Sequence, residues 1–326
     1  MNETGSSRPF AWDDVPALHE LVKSRWAVDG AHGQRRIGDF WWALRNTPAD
    51  DTLAHMQVWP RGDGSLMAVA WLDPPEMGDV IVEADAPAAE SVFDRALDWL
   101  EEEHRVAGSG GLSIVVLAGD ERCAEGLRRR GYTPGKGGNV RFWRALESSP
   151  VPSPLPDGAS LRGVSTEADA ERRAFVEASS FGASGITGAY WRSLIGRLPA
   201  YRPELDVIAV AADGSGASAC TCWYDEATRC GEFEAVGTLE AFQRLGMGKA
   251  VIVEGLRRLY ELGARQAIVE TTISNAPAIA LYRSCGFEEV ARDAGWNMWK
   301  PGGPFNGATD CGDGQGIARW DVAADF

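Results

Sequence analysis

The sequence predicts an α+β protein of two similar halves, each a mixed, mainly antiparallel sheet flanked by helices. Three observations predict it. Prolines 150, 152, 154 and 156 alternate through Glu147–Ser160, removing backbone donors and favouring an extended path, so a linker divides the 326-residue chain near its middle. Both halves close on the same series of amphipathic helix, apolar strand, short helix and Gly-aromatic pair, ending at Gly131-Tyr132 and Gly286-Phe287. In the second half a meander of apolar strands leads into a glycine loop and a helix, the pattern of a sheet covered by helices. The expected division is 1–146, a linker 147–160, a second domain 161–300 and a tail 301–326.

In the first half, Ser91–Arg105 places Val92, Ala96, Leu97 and Leu100 on one helical face. Strand Leu112–Leu117, the stretch DERCAEGLRRRGY and a closing strand Val140–Leu146 follow. In the second half, helices are expected over Thr166–Ser180 and Gly188–Arg197. Strands Asp206–Ala212 and Ala217–Tyr224 flank a turn at Asp213-Gly214, and a turn at Asp225–Thr228 leads into strand Cys230–Thr238. Gln243, Gly246 and Gly248 then spell Q-x-x-G-x-G before an amphipathic run with Ile252, Leu256 and Leu259, which Gly263 can stop in a left-handed cap. Strand Gln266–Thr271 follows, and Asn275 precedes a short helix carrying Tyr282.

A glycine loop at a helix start leaves backbone N–H groups unpaired at the positive end of the helix dipole, a nest for phosphate. A lone G-x-G is more often an ordinary turn. Here Q-x-x-G-x-G is joined about thirty residues on by N-x-x-x-x-x-L-Y-x-x-x-G-F, at Asn275, Tyr282 and Phe287. Together these motifs resemble the acyl-CoA core of the GNAT acyltransferase superfamily, over roughly 160–300. The resemblance implies a tandem GNAT protein in which acetyl-CoA is a co-substrate and a small-molecule amine attacks its thioester directly. Acetylation of a protein or peptide, or a non-catalytic acyl-CoA-sensing module, are the other readings it leaves open.

The resemblance also implies roles for named residues. Pantetheine would bond the strand edge at Val236, Gly237 and Thr238 like an added strand, and Asn275 would bond its amide, although Asn is equally a helix N-cap. The diphosphate would meet the loop Gln243, Arg244, Leu245, Gly246, Met247, Gly248 and Lys249, with bulk excluded at Gly246 and Gly248. Leu245 stands where many relatives carry arginine. Tyr282 is the candidate acid for the departing thiolate. All four histidines lie at or before 104, so the base is expected to be a carboxylate: Glu232, with Glu234 two residues along the same strand face.

The first half has VEADAPAAE where the second has its nest. Pro87 lacks an N–H, and Glu83, Asp85 and Glu90 repel a diphosphate, so this copy is expected to be degenerate. Aligning the Gly-aromatic pairs sets Asp120 against Asn275 and Leu127 against Tyr282.

A net charge of −15 argues against nucleic acid and is compatible with a cationic amine. No apolar run approaches a membrane span, and the N-terminus has no basic start or apolar core of an export signal, so a cytoplasmic protein is expected. The six cysteines contain no C-x-x-C and read as buried thiols. No metal is expected, because Cys220, Cys222 and Cys230 lack chelating spacing and the tail misses that of a calcium loop. Trp26, Trp41, Trp42, Tyr190, Trp191 and Tyr201 are expected mostly in cores, with some of them at an acceptor pocket.

Overall fold

The computed structural model describes residues 6–299, apart from 34, 46–54, 74–75, 84–87, 108–110, 118–119, 136, 183–185, 196–197 and 199. Asp85, Pro87, Cys311 and the tail 301–326 lie outside the described residues. The chain forms two compact units: one of 1–37, 47–140 and 291–312, the other of 38–46, 141–290 and 313–326. The stretch 147–160 is extended, as its prolines dictate, and groups with the second unit.

In the first unit, β1 (Arg8–Pro9) is followed by helix α1 (Val15–Asp29), and helix α2 (Ile37–Arg45) passes into the second unit. Strands β2 (Met56–Pro60), β3 (Leu66–Asp73) and β4 (Met77–Val82) then form an antiparallel meander. Helix α3 (Ala89–Ala107) buries Val92, Ala96, Leu97 and Leu100 in one core with β3 and β4, as its periodicity requires. Strand β5 (Gly111–Leu117) runs parallel to β4 at Met77–Ser113 and Gly78–Ile114, and no further pairing between them is seen among the described residues. Helix α4 (Glu121–Arg129), the short β6 (Thr133–Pro134) and strand β7 (Asn139–Ala145) complete this stretch of chain.

The second unit continues with β8 (Ser160–Gly163), α5 (Glu167–Phe181), α6 (Gly188–Ile195), β9 (Asp206–Val210), β10 (Gly216–Asp225) and β11 (Cys230–Thr238). Helix α7 (Met247–Leu262), β12 (Gln266–Thr272), α8 (Ala276–Ser284) and β13 (Glu288–Trp299) end the described chain. Strands β8 to β11 pair antiparallel in chain order, β11 pairs β12 in parallel, and β7 lies beside β12. Residues 291–299 of β13 group with the first unit, where the strand pairs antiparallel with β5 from Asp293–Leu117 to Trp299–Gly111. Each unit's sheet therefore takes in a strand from the other half of the sequence. That exchange has no signature in local patterning.

Helix α5 is held by a charge network that its sequence conceals. Thr166 and Asp169 form a capping box at its start. Arg173 is 1% exposed, donates to Asp206 and Glu177 at 2.8 Å and to Thr221 at 3.0 Å, and lies over the Trp191 ring. Trp191 and Tyr201 also donate to Asp206, at 3.0 and 2.9 Å. Both rings are thus anchored in this core, and Trp41 is buried as well. Burial and the Asp206 charge push the Tyr201 hydroxyl well above its ordinary range.

Removing one partner of a buried pair costs about 3–5 kcal/mol, because the carboxylates left behind stay desolvated. Arg173→Met should lose about that much in urea unfolding. A loss below about 1 kcal/mol would show that the network contributes little to stability.

Candidate active site

The site is built where β11 and β12 part. Their parallel register runs from Cys230–Gln266 to Phe233–Val269 and stops, although β11 continues to Thr238 and β12 to Thr272. On its other side β11 stays paired to β10 through Cys220–Val236, Ala219–Gly237 and Ser218–Thr238, with a register shift between Cys220 and Cys222. Val236, Gly237 and Thr238 therefore present one edge to a gap. This is the strand edge at which the resemblance placed Val236, Gly237 and Thr238, unpaired on this side among the described residues.

The strand runs into the glycine loop. Arg244 and Gly246 have φ of 63° and 86°, and Gly246 is the left-handed N-cap of α7. The first bond of the helical ladder runs from the Ala250 amide to the Gly246 carbonyl, so the amides of Met247, Gly248 and Lys249 precede it. Val251, Ile252, Leu256 and Leu259 are buried along the helix, and burial worth about 1.5–3 kcal/mol per such side chain fixes its start. The Gln243 amide donates to the Thr238 carbonyl at 3.3 Å, tying the loop to the strand end. At Gly248 the structure adds a packing reason for glycine. A Cβ there would sit 2.9 Å from Thr238 Oγ1 and 3.4 Å from Leu281, so its smallness lets α7 pack on β11 and α8. Leu245 is exposed.

Asn275 caps α8, its side-chain oxygen accepting from the Ala278 amide at 3.2 Å. Asp120 caps α4 in the same way, with φ/ψ of −79°/74° against −81°/71° at Asn275. Leu127 and Tyr282 are both buried, and their carbonyls accept from Tyr132 and Phe287. The alignment of the two halves therefore carries over to backbone geometry, with a carboxylate and a leucine where the second unit has an amide and a phenol.

Tyr282 packs against Phe142 and Phe287, and its hydroxyl makes no hydrogen bond among the described residues. Burial foremost, then the nearby Glu234 charge, push it well above the usual phenol range, so it stays protonated. Glu232 is buried and Glu234 half-buried on β11. Their carboxylate oxygens lie within 4.8 Å of each other and of Asp39 on α2. The two glutamates share a site as their spacing implied; Asp39 was missed, being about two hundred residues upstream with no motif around it. These three could hold a cation, whether an ammonium or a metal ion.

Burial pushes the thiols of Cys123, Cys222 and Cys285 up, and all five described cysteines are buried thiols outside any disulfide. Among the described residues no helix is long and apolar enough to cross a membrane.

Comparison with known proteins gives this arrangement a class. The sequence model of the Acetyltransferase (GNAT) family matches residues 184–287, the region of the splay, the glycine loop and Tyr282. That region matches the GNAT acetyltransferases, and the chain resembles proteins named as acetyltransferases along most of its length. More particularly, it is 25% identical over 288 residues to a protein named mycothiol acetyltransferase from Pseudarthrobacter chlorophenolicus, covering 78% of this chain and 87% of that one. Its fold is that of a GCN5-related N-acetyltransferase from Sphaerobacter thermophilus, with TM-score 0.65, 18% identity and coverage of 90% and 95%. A tandem GNAT protein from the clavulanic acid biosynthesis pathway shares it too, with TM-score 0.62, 16% identity and coverage of 90% and 98%.

Gly38, beside Asp39, controls the placement of Glu232. A Cβ at Gly38 would overlap Glu232 Oε2. A crystal structure of Gly38→Ala should show the Glu232 carboxylate turned away from Asp39. An unmoved carboxylate would mean that the backbone there has slack the packing does not suggest.

Proposed function

We propose that the second unit transfers an acetyl group from acetyl-CoA to the amine of a small molecule by direct attack. The observation that carries this reading is the unpaired edge Val236–Thr238, which runs straight into the unladdered amides at the start of α7. An extended pantetheine arm fits the edge as an added strand, and a diphosphate fits the loop from Gln243 to Lys249, where amides and helix dipole favour negative charge. With its oxygen committed to the N-cap, Asn275 keeps its side-chain N–H group for a pantetheine carbonyl.

Glu232 takes the proton of the substrate ammonium, with Glu234 and Asp39 adding negative charge beside it. The freed amine forms a bond to the thioester carbonyl carbon, and the C–S bond breaks. The leaving thiolate takes the phenolic proton of Tyr282, whose raised pKa keeps that proton available until the sulfur needs it. The names of the relatives support a small-molecule acceptor. The first unit, with Leu127 and Asp120 in place of Tyr282 and Asn275, is proposed to have no turnover of its own.

General acid catalysis is worth about 10²–10⁴-fold, so Tyr282→Phe should lose turnover in that range while calorimetric affinity for acetyl-CoA holds. A loss under about threefold, with chemistry rate-limiting, would remove Tyr282 from this role.

The nest is tested by backbone rather than charge. Proline is tolerated in a first helical turn but has no N–H. Lys249→Pro should therefore weaken acetyl-CoA about tenfold beyond Lys249→Ala, which loses the ammonium alone. Equal affinities of the two variants would place the diphosphate elsewhere.

A further inference from the structure

Ser180, in the last turn of α5, carries a hydroxyl that the fold leaves unbonded. Its Oγ is buried and has no hydrogen-bond partner among the described residues. Other helical serines behave differently: Ser24, Ser91 and Ser284 each donate to the carbonyl three residues back. Such a back-bond is open to a serine in a helix, and Ser180 does not make it. Its side chain lies instead against Gly237, in the middle of the free edge of β11. A Cβ built on Gly237 would sit 2.7 Å from Ser180 Oγ and 2.9 Å from Ser180 Cβ, so the hydroxyl is the part turned to the strand.

Backbone groups alternate along that edge. Leu239 donates to Ala217, so Gly237 spends its own groups on Ala219, its partner in β10, while Val236 and Thr238 turn theirs to the gap. Ser180 thus covers the stretch between two outward amides. The first unit repeats the placement. There, from the later turns of α1, Arg25 borders a cavity walled by Val80, Ile81 and Val82 of β4, the strand that parts from β5.

The two faces of the gap carry different chemistry. Thr238 faces Gly248 of α7, so Gly237 and Ser180 lie on the other face. Phe233 also faces α7, at Gly255, so Glu232 beside it looks to the same side as Ser180. Tyr282 belongs to the α7 face, through Phe287 packed on Phe233. The acetyl transfer proposed above sets the sulfur on the side of Tyr282 and the carbonyl on the side of Glu232, from which the amine attacks. The carbonyl oxygen is then the acceptor that comes to Ser180.

We propose that Ser180 is a catalytic residue of the acetyl transfer, its hydroxyl donating to the thioester carbonyl oxygen. As the amine nitrogen bonds to the carbonyl carbon, the C=O electron pair moves to that oxygen. It returns as the C–S bond breaks and the thiolate leaves. Ser180 keeps its proton and stabilises the charge while it lasts. This rests on the acetyltransferase reading above and adds to it a group from α5.

The test compares the full chain with Ser180→Ala and needs no knowledge of the acceptor. Alanine is the better helix former and removes an unbonded buried hydroxyl, so the variant should unfold at no lower urea concentration. Acetyl-CoA carrying ¹³C at the carbonyl is bound to each protein, and its C=O stretch is read by isotope-edited infrared spectroscopy. A donated hydrogen bond weakens the C=O bond, so the stretch should lie at lower wavenumber in the wild type. In calorimetry Ser180→Ala should bind acetyl-CoA about threefold more weakly, yet bind S-ethyl-CoA, a thioether without that oxygen, as the wild type does. Hydroxylamine, small and uncharged at neutral pH, serves as the probe nucleophile, and single-turnover release of CoA should fall about 10²-fold.

A C=O stretch that is the same in both proteins would overturn the inference, as would a single-turnover rate within about threefold of the wild type. A purely structural serine would lower the unfolding midpoint on substitution and leave the stretch where it was. Binding of acetyl-CoA to the wild type keeps the two readings apart. If it persists while the stretch does not respond, only the role of Ser180 falls; if it is absent, the acetyltransfer reading falls first.

Discussion

The second unit is organised by the parting of two parallel strands. Parallel neighbours normally stay in register until one of them ends, but β11 leaves β12 after Phe233 while both continue. The register shift on β10 lets β11 remain paired on its far side as it departs. Everything chemical in the unit follows from that departure. It leaves an unused row of backbone groups just beyond Glu232 and delivers the chain to the start of α7 at the mouth of the gap. Tyr282 reaches the same region from α8, its hydroxyl without a hydrogen-bond partner among the described residues.

Local chemistry in the sequence was enough for the parts that depend on neighbours in sequence. Strand Cys230–Thr238 appears with the expected limits, and helix α7 ends at Gly263 in a left-handed cap with φ of 108°. Asn275 and Asp120 cap their helices at matching positions because a side-chain oxygen three residues before a free amide is a local solution. Gly246 needs positive φ, which its type announces.

The remainder was hidden because it depends on distance along the chain. The run E-R-R-A-F-V-E in α5 looks like a solvated helix face, yet Arg173 and Glu177 are buried because Asp206 lies beneath them. Asp39 joins two glutamates that no local pattern links to it. The packing constraint on Gly248 was hidden, since Thr238 and Leu281, which a Cβ there would meet, are ten and thirty-three residues away. Most of the fold, the strand edge and the glycine loop at the start of α7 were readable. Asp39 was not, because it comes from a distant part of the chain.

The exchange of closing strands bears on how the chain is made. A ribosome releases β5 long before β13, so the first sheet waits with β5 at an open edge until the residues around Trp299 have emerged. An apolar strand edge left open for that interval is exposed to pairing with the wrong partner. Closure over so long a separation is entropically slow as well. The acidic surface implied by a net charge of −15 gives the waiting chains mutual repulsion during that period. Vectorial synthesis thus leaves a sheet begun in the first half to be joined by β13, the last strand among the described residues.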